Sequence, residues 1–151
     1  MCRVLPVLSP VPGTAVAMTG VPDPVFAQGM VGPGAAVEPD RAPQDALAPI
    51  TGRILKLHPH AFVVVSTEGR GVLVHLGIDT VTLGGAGFDL LAAEGDQVEA
   101  GTPVIRWNPA DVAAGGRAPI VPVVALDAAP DAVADPAAGE VAAGDRLFSW
   151  A

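Results

Sequence analysis

The sequence predicts an all-β domain of many short strands, and three observations carry that expectation. Valine-rich runs such as residues 63–65 and 72–74 are short and β-branched or aliphatic, the composition that suits a half-buried pleated surface. Glycine and proline occur 18 and 16 times in 151 residues, which cuts the chain into brief pieces joined by turns. No apolar spacing of 3.6 residues persists beyond a turn or two, so long amphipathic helices are excluded. Half of the residues are hydrophobic, enough for a sizeable core in a single domain spanning residues 1–151.

The elements follow in order. Residues 1–5 read as a frayed end that carries Cys2, the only cysteine, so no intrachain disulfide can form and a reducing compartment is expected. Two internal echoes come next. Leu8-Ser-Pro-Val-Pro-Gly13 resembles Leu47-Ala-Pro-Ile-Thr-Gly52, and Val98-Glu-Ala-Gly101-Thr-Pro-Val-Ile-Arg-Trp107 resembles Val141-Ala-Ala-Gly144-Asp-Arg-Leu-Phe-Ser-Trp150. They suggest one strand–turn unit used more than once within an all-β body. Asn108 to Gly115 is the one short helix expected, with Asn108 as cap, Pro109 in the first turn and Gly115 at the end. Residues 127–139, rich in Ala, Asp and Pro, read as a surface loop, and Val141 to Trp150 as a strand belonging to the core.

The centre of the chain holds two of its three histidines, His60 and His75, each in an apolar run. Between them Ser66-Thr-Glu-Gly-Arg-Gly71 is built to turn, so the segment reads as a hairpin. A turn centred on Thr67-Glu68 places His60 opposite His75, with Cβ atoms about 4.5–5.5 Å apart. A turn centred on Glu68-Gly69 makes the pair diagonal, roughly 7–8 Å apart on one face. An odd-length turn with a bulge would send the two to opposite faces. A shared face is the expectation.

The formal net charge of −8 opposes binding to DNA or to an anionic membrane, and no basic stripe offsets it. A basic protein surface or a small molecule is the expected partner. The start of the chain lacks a signal-peptide core, and no apolar run approaches the roughly 20 residues that span a bilayer. A cytoplasmic location follows as the expectation.

The string Val72-Leu-Val-His75-Leu-Gly-Ile-Asp79-Thr-Val81 resembles the glucose-family enzyme IIA of the bacterial sugar phosphotransferase system. Val21-Pro-Asp23-Pro-Val25-Phe26-Ala27, the Ala48 to Gly52 turn, His60-Ala-Phe62, Gly87-Phe88 and Glu94-Gly95 match in the same order. The resemblance implies a compact antiparallel β-sandwich with a shallow apolar depression holding two histidines. It implies that His75 accepts a phosphoryl group from the phosphocarrier protein HPr and passes it to a cysteine of an enzyme IIB domain. His60 would be the supporting histidine. Asp23 and Asp79 would face arginine on the phosphocarrier, with Val25, Phe26, Phe62 and Val81 as the apolar rim. No cofactor is required, although two convergent imidazoles could also take up zinc.

The chemistry is consistent with those residue types. Phosphoryl transfer needs an in-line nucleophile and hydrogen-bonding groups around the equatorial oxygens. An imidazole, with a reference pKa near 6.5, supplies a free ring nitrogen at neutral pH. Its neighbour can donate N–H to the phosphoryl oxygens, and backbone N–H groups near Gly77 could add to this. The chain departs from the family in the turn before the first histidine. There, Lys56-Leu-His58-Pro-His60 contains no Ser or Thr to orient His60, and His58 could substitute. The basic amphipathic segment that opens some family members is not expected here, nor is membrane binding through it.

Two other classes fit less well. A zinc peptidase site could draw on His58, His60, His75 and Asp79, but its two ligand motifs would stand in reversed order with a short gap. A biotinyl or lipoyl carrier needs a lysine displayed at a hairpin tip, and the only lysine is Lys56, within an Arg-Ile-Leu-Lys-Leu strand.

Overall fold

Short β-branched runs pair with their chain neighbours wherever a tight turn lets them, and the computed structural model, which describes residues 4–151, is built from such pairs. In chain order the strands are β1 (Leu5–Leu8), β2 (Gly13–Ala17), β3 (Gly34–Pro39), β4 (Gln44–Leu47), β5 (Gly52–His58), β6 (Ala61–Val65) and β7 (Gly71–His75). There follow β8 (Asp89–Leu90), β9 (Gln97–Val98), β10 (Pro103–Trp107), β11 (Val121–Ala125), β12 (Val133–Ala134), β13 (Gly139–Val141) and β14 (Arg146–Trp150). Two short helices interrupt them, α1 (Pro24–Ala27) and α2 (Pro109–Ala114). The all-β expectation holds.

An eight-stranded sheet runs in the order β13-β2-β3-β11-β7-β6-β5-β9, and two three-stranded sheets, β1-β14-β12 and β4-β10-β8, accompany it. Neighbouring strands pair antiparallel. Alternation along the strands sends one set of side chains inward. Val37, Val64, Val74 and Val123 from the large sheet meet Val7, Leu147 and Phe148 from one small sheet and Ile105 and Trp107 from the other. Each such side chain contributes about 1.5–3 kcal/mol by leaving water. The two ion pairs found among the described residues, Arg41–Glu38 and Arg106–Asp45, lie at the surface, where water screens them. Apolar burial therefore decides the fold.

A second, smaller core lies around Met18, Val21, Phe26, Ala36, Ile78, Ile120 and Val124, with Leu73 packed against it. On β7, Val72 and Val74 are fully buried in the main core, whereas Leu73 and His75 alternate away from it. The second core is thus the floor on which His75 stands.

The two sequence echoes turn out to be halves of one pseudo-symmetric arrangement. Leu8 N–H donates to the Pro49 carbonyl and Leu47 N–H to the Pro10 carbonyl, both at 2.9 Å. Ser9 N–H reaches the Asp145 carbonyl while Ala48 N–H reaches the Thr102 carbonyl, and Gly144 and Gly101 donate back to Ser9 and Ala48. β1 and β14 correspond in this way to β4 and β10, and both β10 and β14 end on a buried tryptophan.

Several expectations are corrected. Leu5, placed in a frayed end, opens β1 opposite Trp150; Cys2 lies outside the described residues. Residues 127–139 are not simply a loop, since Val133 and Ala134 pair with Trp150 and Ser149 as β12. Asn108 does cap α2, its side chain accepting from Ala110 N–H at 3.0 Å, and Gly115 ends it. The sequence reading missed α1, which starts the same way: Asp23 accepts from Val25 N–H and Pro24 fills the first turn.

The pseudo-symmetry makes a prediction. A Cβ on Gly13 would lie 2.1 Å from the Glu38 carbonyl oxygen, and one on Gly52 would lie 2.2 Å from that of Val65. Gly13→Ala and Gly52→Ala should each cost roughly 1–3 kcal/mol by overpacking against backbone. Urea denaturation should show lower midpoints for both, and an unchanged midpoint in either would break the equivalence.

Candidate active site

The hairpin that carries the histidines turns on three residues. Ser66 N–H donates to the Arg70 carbonyl and Gly69 N–H to the Ser66 carbonyl, with Gly69 at a φ of 83°. The resulting register pairs Ala61 with His75 and Phe62 with Val74. This is the odd-length turn, shifted by one residue from the expected pairing. Strict alternation would then put residue 60 on the face opposite His75.

The rings nevertheless converge, because His60 is not part of the strand. β5 and β6 are joined by Pro59-His60, with His58 paired to Ala61 across that turn. A turn residue is free of the pleat. Leu76 N–H donates to the His60 carbonyl at 2.7 Å and seats the turn against the end of β7. The His60 and His75 ring centroids lie 5.2 Å apart, nearly edge to face at 72°.

His75 is held from below and behind. Phe26, from the second core, packs against it with centroids 5.2 Å apart. Its Nδ1 lies 2.5 Å from the Gly77 carbonyl oxygen. A carbonyl can only accept, so Nδ1 carries the proton and Nε2 keeps its lone pair in the neutral ring. The Gly77 turn was expected to offer N–H groups; what it visibly supplies is this acceptor. Gly77 has a φ of 80°, and a Cβ there would lie 2.7 Å from Thr80 Cγ2. Thr80 is buried, and its hydroxyl donates to the Leu76 carbonyl at 2.8 Å, closing the turn from inside. Sequence reading missed Thr80. A hydroxyl residue directly after Asp79, in a short apolar and turn-forming stretch, was its only signal.

Burial depresses the affinity of both imidazoles for a second proton. For His75 desolvation dominates, opposed by the Gly77 carbonyl and by the charges of Asp23 and Asp79. For His60 desolvation again leads, reinforced by His75 and then His58. Both rings thus take up a second proton less readily than a free imidazole.

The predicted partner residues divide. Val25 and Val81 are exposed, 41% and 61%; Val25 adjoins Phe26, which packs on His75, and Val81 follows His75 closely in the chain. Asp79 is exposed at a left-handed φ of 60°, and Asp23 is half-buried as the cap of α1. Phe26 lies beneath His75 rather than at the rim. Phe62 is corrected outright: it pairs with Val74, faces the main core and is 1% exposed. His58 is exposed at the end of β5 and stacks on His60. Among the described residues no three His, Cys, Asp or Glu side chains stand together as a metal-holding group, so His58, His60, His75 and Asp79 do not form the zinc-peptidase site considered above.

A paired-imidazole site on an antiparallel β-sandwich defines a class of histidine phosphocarrier, and comparison with known proteins gives the family. Residues 5–130 match the family profile described as phosphoenolpyruvate-dependent sugar phosphotransferase system, EIIA 1. The chain is similar to the PTS system glucose-specific EIIA component of Staphylococcus aureus, 36% identical over 120 residues that cover 78% of this chain and 71% of that one. It is 41% identical over 119 residues to the N-acetylglucosamine-specific EIICBA component of Escherichia coli K12, covering 78% of this chain and 18% of that longer protein. The glucose permease IIA of Mycoplasma capricolum superimposes with a TM-score of 0.90 at 30% identity, over 98% of this chain and 96% of that one. The chain belongs to the enzyme IIA family of the sugar phosphotransferase system. It is a phosphotransferase, a protein-to-protein phosphocarrier working between HPr and an enzyme IIB domain. No helix among the described residues is long and apolar enough to cross a membrane.

The lowered proton affinities have a sign that can be checked. Below the usual imidazole pKa of about 6.5 the unfolded chain protonates before the folded one, so stability falls with pH through the window beneath that value. Replacing His75 by Gln should flatten this part of the pH–stability curve, read by denaturation at closely spaced pH values. A curve with the same slope in both proteins would contradict the assigned burial effect.

Proposed function

We propose that His75 Nε2 is the atom that carries the phosphoryl group and that His60 is its supporting donor. The observation that carries this reading is the paired geometry: Nδ1 of His75 committed to the Gly77 carbonyl, with the His60 ring 5.2 Å away. In the first step Nε2 attacks phosphorus in line, the bond to the phosphoryl donor breaks, and a P–N bond forms on His75. The proton stays on Nδ1, donated to the Gly77 carbonyl, so the ring needs no proton transfer to become a nucleophile. His60 donates N–H to a phosphoryl oxygen and offsets charge without a metal. In the second step a cysteine thiolate of the IIB domain attacks, the P–N bond breaks and a P–S bond forms.

The surroundings support the same reading. Exposed Val25 and Val81 give partners an apolar seat and limit water around the phosphohistidine. Asp23 and Asp79 would draw a basic donor surface, as charge complementarity acts mainly on encounter. We assign the acceptor to a permease of the glucose or N-acetylglucosamine type, since similar chains bear those names; selectivity for sugar then lies in the permease. Such exchange with HPr fits a cytoplasmic location, and no cofactor is needed for it.

His75→Ala should abolish phosphate uptake from phosphoenolpyruvate, enzyme I and HPr, measured as acid-labile phosphate on the protein. Full uptake by that variant would refute the assignment. His60→Gln should still accept phosphate but pass it to IIB at least 100-fold more slowly, as expected when an oxyanion-type donor is displaced. Charge reversal at Asp23 or Asp79 should raise the HPr concentration needed for half-maximal rate and leave the saturated rate nearly unchanged. An unaltered concentration dependence would remove those carboxylates from the interface.

A further inference from the structure

The third histidine is left unused by the chemistry above, yet it touches the pair. His58 ends β5 and is opposite Ala61, one residue beyond the Pro59-His60 turn. Its ring lies nearly parallel to that of His60, at 23° and 5.9 Å between centroids, while His75 meets His60 from another direction at 72°. The hydrogen bonds among the described residues fix His75 through Nδ1 but none fixes a ring nitrogen of His60. The backbone of His60 is tied by Leu76, which sets where the ring starts but not how it rotates. A turn residue without an anchoring hydrogen bond needs its ring bounded by neighbours.

We propose that His58 is a positioning residue: its ring backs the face of His60 and keeps the His60 edge toward His75 and the phosphoryl group it carries. This rests on the reading of His60 as the supporting donor. A flat ring suits the task, because stacked rings restrict rotation about the side-chain bonds without occupying a nitrogen. His60 keeps its own N–H for the phosphoryl oxygens.

Charge acts in the same sense. Burial disfavours charge on His60, and His75 from β7 and then His58 add to that effect. Asp23 and Asp79 act on the far member of the cluster, favouring charge on His75. Glu94 reaches the neighbouring backbone, where Leu57 N–H donates to its carboxylate at 3.1 Å. Burial first, and then imidazole on two sides with no carboxylate bonded to it, thus disfavours charge on His60.

The test compares His58→Ala and His58→Phe with the parent chain, each checked by thermal melting. Two readouts apply: NMR titration of the His60 ring, and single-turnover transfer from phosphorylated His75 to an isolated IIB domain. In His58→Ala the His60 titration should move to higher pH and transfer to IIB should fall several-fold, with phosphate uptake from HPr unchanged. His58→Phe, which keeps a flat ring, should restore most of the transfer rate. Parent-like titration and transfer in His58→Ala would overturn the proposal, and so would failure of phenylalanine to restore the rate. If the parent chain takes up no phosphate on His75, the site assignment fails instead, and the His60 titration still judges the contact.

Discussion

The hydrogen bond from Leu76 N–H to the His60 carbonyl is the constraint on which the site depends. It joins a turn at one end of the β5–β6 hairpin to the residue that follows His75. It continues the β6–β7 register by one rung, since Ala61 is opposite His75 and His60 therefore opposite Leu76. Strand pairing alone fixes Cβ positions on alternate faces. The bond to Leu76 anchors the His60 backbone at the end of that ladder, and the Pro59-His60 turn frees its side chain from the pleat.

This explains what the sequence could and could not disclose. Convergence of the rings was legible in the apolar runs around His60 and His75, and in the turn-forming residues between them. The reason for it was not. The pairing inferred from an even turn is one residue out, and the structure reaches the same convergence by taking His60 out of the strand. Phe62, which the resemblance implied as part of the rim, faces the core instead, because the register sets it opposite Val74. α2 was visible from Asn108-Pro109, whereas α1 was not recognised from Asp23-Pro24 although the capping pattern is the same. A span of four residues has no periodicity to display, so only the cap could have revealed it.

The internal repetition locates function as well as strands. Leu8 to Gly13 leads into the β2–β3 pair, and Leu47 to Gly52 leads into the β5–β6 pair. The scaffold is the same in both halves; the connections differ. Between β5 and β6 the link is the two residues Pro59-His60. Between β2 and β3 it runs through α1 and delivers Phe26 and Asp23. Those two connections meet at His75, one bringing a ring beside it and the other a ring beneath it. Conserving the strands while varying the links lets a repeated framework carry an asymmetric site.

The asymmetry reaches the two imidazoles themselves. They are chemically identical side chains, and only their surroundings give them different work. His75 has a fixed proton on Nδ1, a phenylalanine below and two carboxylates near enough to favour positive charge. Those carboxylates matter once phosphorus is bound, since an Nε2-phosphorylated ring that retains its Nδ1 proton bears more positive character than a neutral imidazole. His60 shares the burial that lowers proton affinity but has imidazole on both sides in place of the carboxylates. A ring that must give up electrons to phosphorus sits beside anions. A ring that must offer only a neutral N–H sits between imidazoles, which add to the burial that already disfavours its charge. Exchanging the two environments would take from each histidine the neighbours that suit it to its step, although every atom of both side chains would still be present.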